Sequence, residues 1–442
     1  MRLRSLGFAA FAAAAVMQSC QPACTPAPAP PPVTAAPVPA PPPPPRPPPT
    51  SLTIAGQGSG HGRGLSAWGA YGMALNGATW EGIIDTYYGG TSWGNAGNRT
   101  IGVRLLWADG RRDVTVISRS RAATWNGGSG SYGSMQAFQL GDNVYDVYGA
   151  AGIGCAGSAI DWAFIARVSG PVTFSTTVDQ TLGAPGDVLG LCRPDGSVAH
   201  YRGAIQSVTD NASNRTVNLV LVENYLRGVL PREVASSWGG SGGGRGMNSL
   251  WAMAVAARSF AHSQGRYWYA QTCDTAACQV YGGAAFRWSP DAPTAFPTAT
   301  QVCEPGNVTF ECANTNRAVR ETENVVRVRP GGQVISGEYS ASHGPYSSGI
   351  NFPVVDDSAS NVPGNPNYTW TRTISATDLA ATYGLGTFTG AYSERDPASS
   401  ANGVWGYRIV LQGTAATVTV PNLAFRTTFG FPSHGFSVAG VS

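Results

Sequence analysis

The chain has no lysine. All 28 of its Lys/Arg residues are arginine, and charged residues make up only 12% of 442 positions. The net charge of +3 is too small to point to a nucleic-acid partner. Beyond the N-terminus there is no apolar run long enough to span a bilayer. No internal repeat is visible, and neither a phosphate-binding P-loop, a dinucleotide fingerprint nor a G-x-S-x-G nucleophile elbow appears. What is abundant is glycine, at 57 residues, and apolar side chains, at 43%. That balance describes a loop-rich, β-leaning chain with a sizeable core, long enough for one large domain or two ordinary ones. We expect an α+β fold, with a β-rich core and a few short helices.

The first residues read as an export signal. Arg2 and Arg4 precede an apolar, Ala-rich run from Leu6 to Met17, so residues 1–20 are assigned to a signal peptide. The run ends in MQSC, which makes Cys20 a candidate lipid attachment site; cleavage near Cys20 or Cys24 without lipidation is the alternative. Residues 21–50 are dominated by proline, which fixes φ and removes backbone donors. They should form a semi-rigid polyproline spacer holding the folded part away from the membrane or through a wall layer. The expected location is secreted or at the cell envelope, with a lipid on Cys20 as the sole link to a membrane. Six further cysteines remain, an even number in an exported chain, which favours disulfides. Sequence neighbourhood favours Cys155–Cys192, Cys273–Cys278 and Cys303–Cys312.

Secondary structure follows from periodicity. A helix is expected from Ser66 to Met73 and a second from Trp80 to Tyr88, with Ile83, Ile84, Tyr87 and Tyr88 on its apolar side. Between 101 and 222 the segments IGVRLLW, RDVTVIS, VTFST and RTVNLVLV are β-branched and bounded by turn residues, and ADGRR reads as a hairpin turn. The strongest helix is NSLWAMAVAARSFAHSQG, with Asn248 as cap and Gly265 as stop. In it Leu250, Ala254, Ala257 and Ala261 form one stripe, and Trp251, Val255, Arg258 and His262 a second. A shorter helix should start near Glu223 and end near Glu233. Further on, a hairpin is expected across Pro330-Gly331-Gly332, and a short helix capped by Ser375 and Asp378 and stopped by Gly384. YRIVLQGTAATVTVP reads as a strand pair.

Four stretches could carry chemistry. Glu233 follows a Gly-Val-Leu-Pro turn and has Val229, Leu230, Val234 and Trp238 as apolar neighbours. Such a setting raises a carboxyl pKa and suits general acid and base work; a solvated acid paired with Arg227 or Arg232 is the structural alternative. GSGHGRGLSAWGA places His61 among glycines that let backbone approach a ligand closely, or simply make a turn. QTCDTAACQVYGG offers a disulfide or half of a zinc site, and with alanine at 276 and 277 the disulfide is favoured. EYSASHGPYSSG gathers Ser340, Ser342 and His343; adjacent Ser342 and His343 in a strand face opposite ways, which argues against a nucleophile pair and for hydrogen bonding to a polar ligand.

VENYLRGVLPREV, AMAVAARSFA, CDTAACQVYGG and GEYSASHG, in this order and spacing, resemble the stage II sporulation protein D (SpoIID/LytB) family. The C-terminal stretch from TWTRTISATDLAATYG to TTFGFPSHGFSV resembles that family's last segment, and GHGRGLSAWGAYGMALNG is similar to its GHG segment. The resemblance covers about 51–93 and 200–440. The GHG segment here precedes the core instead of following it, so the order looks permuted, and Ala67 stands where the family has Gln. Segments 51–100, 101–199 and 200–442 are read as the GHG part, a β-rich elaboration and the SpoIID-like core.

The resemblance implies a lytic transglycosylase acting on peptidoglycan glycan strands, with Glu233 as its single acid/base. It implies glycan contacts at His61, Gly62, Ser66, Arg258, Gln279, Tyr281, Ser340, Ser342 and His343. No cofactor is expected, and no metal, because Ala277 replaces a histidine that binds zinc in some members. The rival reading is a non-catalytic wall binder that enhances a cell-wall amidase.

Overall fold

In a computed structural model, residues 47–179, 188–287, 289 and 311–442 are described. The expectations for residues 1–46, including Cys20 and most of the spacer, lie outside them, as does Cys303. Residues 48–442 form one compact unit. The fold is α+β and strand-rich, with seven α-helices among the described residues. They are α1 (Ala67–Leu75), α2 (Trp80–Tyr87), α3 (Val222–Glu233), α4 (Met247–Ser263), α5 (Ala313–Glu321), α6 (Ala376–Tyr383) and α7 (Asn422–Phe429).

Helix α4 is the centre of the larger core. Alanine recurs all round it, and small side chains let α1, α2, α3 and α5 approach closely. The Leu250 stripe is buried throughout, and of the second stripe Val255 and Arg258 are buried while Trp251 and His262 stay partly exposed. Asn248, expected as the cap of α4, lies inside the helix. Its side-chain oxygen instead accepts from the Trp80 N–H at the start of α2 (3.0 Å), satisfying one of the free donors of a neighbouring helix. Ser66 caps α1 by accepting from the Gly69 N–H (3.1 Å). Ser375 caps α6 in the same way, and Gly384 ends it in the left-handed conformation only glycine adopts cheaply.

A six-stranded sheet runs in the order 272–273, 100–104, 213–221, 204–210, 172–176, 123–125. A seven-stranded sheet runs 285–287, 198–201, 189–192, 113–117, 134–141, 144–150, 163–169. Strands 100–104 and 113–117 thus belong to different sheets, so ADGRR is a crossover between sheets and no hairpin turn. The turn at 329–332 forms, but the strand Val325–Val328 takes Ser92–Asn95 as its partner, and its outgoing arm pairs through a single bridge, Val328 to Val334. The strand Ser51–Gln57 lies between 369–375 and 436–441 over a second apolar cluster built on Leu52, Ile54, Phe388, Phe425 and Phe436. The expected strand pair at the end is Tyr407–Gly413 with Thr417–Pro421. The Ser51 N–H donates to the Ser442 carbonyl (2.8 Å), so the two ends of this unit lie side by side. Cys155–Cys192 and Cys273–Cys278 are disulfides, and Cys312 is also disulfide-bonded.

Candidate functional site around Glu233

Glu233 is the last residue of α3, and the helix ends there for a local reason. Pro231 sits in the final turn, where it cannot donate a hydrogen bond and crowds the preceding turn. The chain leaves extended at Val234. Gly228 lets the Tyr281 ring lie against the helix: a Cβ there would come within 2.6 Å of that ring. The Tyr281 hydroxyl is tied off by Asn218 (2.7 Å).

The carboxylate of Glu233 is half-buried and accepts the Val280 backbone N–H at 2.9 Å. The Tyr339 hydroxyl is its second polar partner. Behind Tyr339, Gln279 donates to that hydroxyl (3.0 Å) and accepts from Tyr225 (3.2 Å), so a hydrogen-bonded line runs Tyr225–Gln279–Tyr339 and ends beside Glu233, whose charged form the Tyr339 hydroxyl favours. Burial raises the Glu233 pKa above its usual value, and the two donors, which favour the anion, do not cancel that effect. The end of a helix is also the wrong pole for an anion. The result is a carboxyl group that holds a proton more readily than an exposed glutamate.

Tyr339 belongs to the two-residue strand Tyr339–Ser340, which pairs in parallel with Leu65–Ser66. Adjacent strand residues face opposite ways. Tyr339 points to Glu233, and Ser340 points to the GHG segment. Its hydroxyl accepts from the Gly62 N–H (3.1 Å) and lies 3.2 Å from His61 Nδ1. Gly62 has φ +72°, and a Cβ there would strike the Trp405 ring at 2.7 Å. His61 is partly exposed, and burial followed by the charge of Arg63 lowers its pKa to about 4. Arg63 in turn pairs with Glu338 (2.6 Å).

Several expected glycan contacts therefore sit in supporting places. Arg258 is fully buried. Its guanidinium grips Glu223 with two bonds of 2.8 Å and the Val325 and Val319 carbonyls, so it is a core residue and reaches no ligand. Ser342 accepts from Asn365 (3.1 Å) and the Gly344 N–H, and is fully buried. His343 is also fully buried, with neither ring nitrogen hydrogen-bonded, and burial lowers its pKa to about 3. Ser66 is buried in its capping role, and Gln279 and Tyr281 are buried as described. Among the expected contacts, only Glu233 and His61 are partly exposed; Gly62 and Ser340 lie directly beneath His61.

Sequence reasoning missed Tyr339, although its place just before Ser340 in a strand puts it on the opposite face. It named Trp238 as a neighbour of Glu233 but missed that this ring gathers Trp68 and Tyr71 around it. Trp238, five residues after Glu233, stacks on Tyr71 (4.4 Å, 20°) and packs on Trp68 (4.7 Å). The Trp68 N–H donates to the Ala341 carbonyl, two residues beyond Tyr339.

The sulfurs of Cys273 and Cys278 are bonded to each other, so neither offers a thiolate to zinc, and the residues present do not fit a metal there. A cleft of about 620 Å³ lies elsewhere, between Thr50, Ala380 and Phe388, but among the described residues no titratable side chain lines it.

Residues 210–328 match the family model described as stage II sporulation protein, SpoIID. The matched stretch holds Glu233, Arg258, Gln279 and Tyr281, while His61 and the Ser340–His343 turn lie outside it. No curated protein and no solved structure matches the chain.

Proposed function

Because the chain carries a SpoIID domain, we propose that it acts at the cell wall as a lytic transglycosylase, cutting peptidoglycan glycan strands with Glu233 as acid and then base. The observation that carries this reading is the environment of one carboxyl group: half-buried, at a helix C-terminus, with raised pKa, and oriented by the Val280 N–H and Tyr339.

The chemistry needs only that group. Protonated Glu233 gives its proton to the glycosidic oxygen. The C1–O bond breaks, the leaving sugar keeps the electron pair, and positive charge develops at C1 and the ring oxygen. The new carboxylate faces that charge and then takes the proton of the same sugar's C6 hydroxyl. The C6 oxygen bonds to C1, closing a 1,6-anhydro ring, and Glu233 is protonated again. No water is consumed, so the second carboxylate that inverting and retaining hydrolases use has no step to perform. Tyr339 keeps the carboxylate aimed through both halves, and Gln279 and Tyr225 keep Tyr339 aimed. The partly exposed rings of Trp68, Tyr71 and Trp238 offer apolar faces to pyranose rings.

The test uses purified protein on glycan strands with and without stem peptides, and mass spectrometry for 1,6-anhydro ends. Wild type should produce them and Glu233→Gln should not. If wild type binds the strands and leaves them intact, the wall-binding, amidase-enhancing role replaces this one.

A further inference from the structure

The most exposed aromatic side chain among the described residues lies just beyond the C-terminal end of α4. Trp268 is 74% exposed, the most exposed large apolar side chain among the described residues. It stands in the segment Tyr267-Trp268-Tyr269, just after α4. A tight turn closed by the Tyr267 N–H on the Ala270 carbonyl (3.0 Å) holds that segment. Its base is pinned to the six-stranded sheet by Gln271, whose N–H donates to the Gly102 carbonyl (2.9 Å). Tyr269 is buried on Val208 and Val217, and Tyr267 stacks on it (5.5 Å, 16°). Arg104 lies over Tyr267 at 4.8 Å.

The indole is oriented as well as exposed. Its Nε1–H donates to Asp210 Oδ1 at 3.0 Å. Asp210 belongs to a charged row with Arg215 (3.6 Å), and Arg215 continues to Asp109 (3.7 Å). Asp109 also takes Arg104. The side chains of Asp210 and Asp109 keep 19% and 23% of their surface in water. An apolar face in water is normally removed by burial; here the hydrogen bond and the turn fix it outward. The exposed Phe164 has no such polar partner and rests on the Tyr148 ring.

A fixed aromatic face bordered by partly wet carboxylates matches one ligand chemistry well. A pyranose presents C–H bonds from its ring face and hydroxyl or amide groups from its rim. The face stacks on an indole and the rim donates to carboxylates. We infer that Trp268, with Asp210 and Asp109, forms a second saccharide-binding surface that holds a glycan strand remote from Glu233. The inference rests on the glycan reading of the protein and on no residue of the proposed catalytic site. A long strand would then be gripped at two places, and the second contact would act at high effective concentration.

The full chain carrying Glu233→Gln, which leaves strands uncut, is titrated with long peptide-free glycan strands and with a tetrasaccharide of the same polymer. Adding Trp268→Ala should weaken long-strand binding about three- to tenfold, the range one aromatic stack contributes. Tetrasaccharide binding at the Glu233 site should stay unchanged, and Trp268→Phe should recover part of the loss. Equal long-strand affinity with and without Trp268 overturns the inference. So does an equal loss for both ligands, which would make Trp268 part of the Glu233 groove, and so does a parent that binds no glycan. If wild type yields no 1,6-anhydro ends but Trp268→Ala still loses long-strand affinity, the proposed reaction falls and this surface stands.

Discussion

Helix α3 carries a glutamate at each end, ten residues apart, and the two have opposite surroundings. Glu223 lies in the first turn, where the helix pole favours an anion. Both its oxygens are held by Arg258 at 2.8 Å, and one also accepts the Asn324 N–H (3.1 Å). Glu233 lies at the opposite pole with no guanidinium bonded to it, one backbone donor and one tyrosine. The same side chain on the same helix is tied to a buried arginine at one end and, at the other, is left by burial with a raised pKa. Neighbours, more than residue type, decide which.

The largest effect should come from breaking the acid end. Glu233→Gln keeps size and hydrogen bonding but removes the transferable proton, and should lower turnover by about 10²–10⁴. Its stability should move the other way. A carboxyl whose folded pKa is raised binds protons more readily folded than unfolded, so native stability falls as pH climbs from the unfolded pKa through the folded one. Removing the group removes that loss. Glu233→Gln should therefore melt at or above the wild-type temperature at neutral pH and match it in acid. A variant that loses turnover and also melts lower at pH 7 would make Glu233 a structural residue like Glu223.

Breaking the other end should cost folding and spare chemistry in whatever protein still folds. Arg258→Met leaves Glu223 buried and unpaired, at about 3–5 kcal/mol. Adding Glu223→Gln should recover much of that. Urea unfolding of both variants measures it, and a single-variant cost near zero would mean the pair is not the anchor its geometry describes.

Arg258 also shows what was legible in the sequence. The spacing of Trp251, Val255, Arg258 and His262 correctly placed them on one helical stripe, but which stripes are buried depends on what packs there. Around α4 nearly every direction is occupied, because alanines admit a neighbour on each side. The ends of α1 and α6, set by Ser66, Ser375 and Gly384, could be read because capping is local. The disulfides between Cys155 and Cys192 and between Cys273 and Cys278 followed from chain proximity. ADGRR could not be read: a tight turn looks the same whether its strands pair or part into two sheets. Glu233 was readable as a candidate from its apolar neighbours. Its orienting partner was not, since Tyr339 arrives from more than a hundred residues away.

The histidines extend the comparison to cations. All five are held below the usual value of 6.5 chiefly by burial: His61, His262 and His434 to about 4, His200 and His343 to about 3. A lowered folded pKa means the unfolded chain takes up protons first. The stability these groups contribute is complete above pH 6.5 and drains as pH falls towards 3–4. Asp274 and Asp357, both pushed up to about 6 by burial, act in the opposite sense between about 4 and 6. His343 gives the cleanest reading because neither ring nitrogen is bonded. Replacing it with Gln should flatten the loss of stability between pH 6.5 and 3 by up to about 1.4 kcal/mol per pH unit. Denaturation midpoints at several pH values test this, and an unchanged slope would show that His343 titrates normally.

The smallest effect separates aiming from acidity at Glu233. Tyr339→Phe keeps the ring, its packing and the strand pairing with Leu65–Ser66, and deletes one hydroxyl. That hydroxyl favours the Glu233 anion, so its loss pushes the carboxyl pKa further up. The base-side limb of the pH–rate profile, where the acid loses its proton, should move to higher pH. Turnover below that limb should fall modestly, because the carboxylate has lost one of its two aiming contacts. Gln279 would also lose one of the two partners its amide donates to, keeping the Ala257 carbonyl, so Gln279→Leu combined with Tyr339→Phe should cost less than the sum of the two. A profile that drops at all pH values without shifting would make Tyr339 a packing residue. A shift in the stated direction would show that the difference between the two ends of α3 is built from single hydrogen bonds around the acid as well as from its burial.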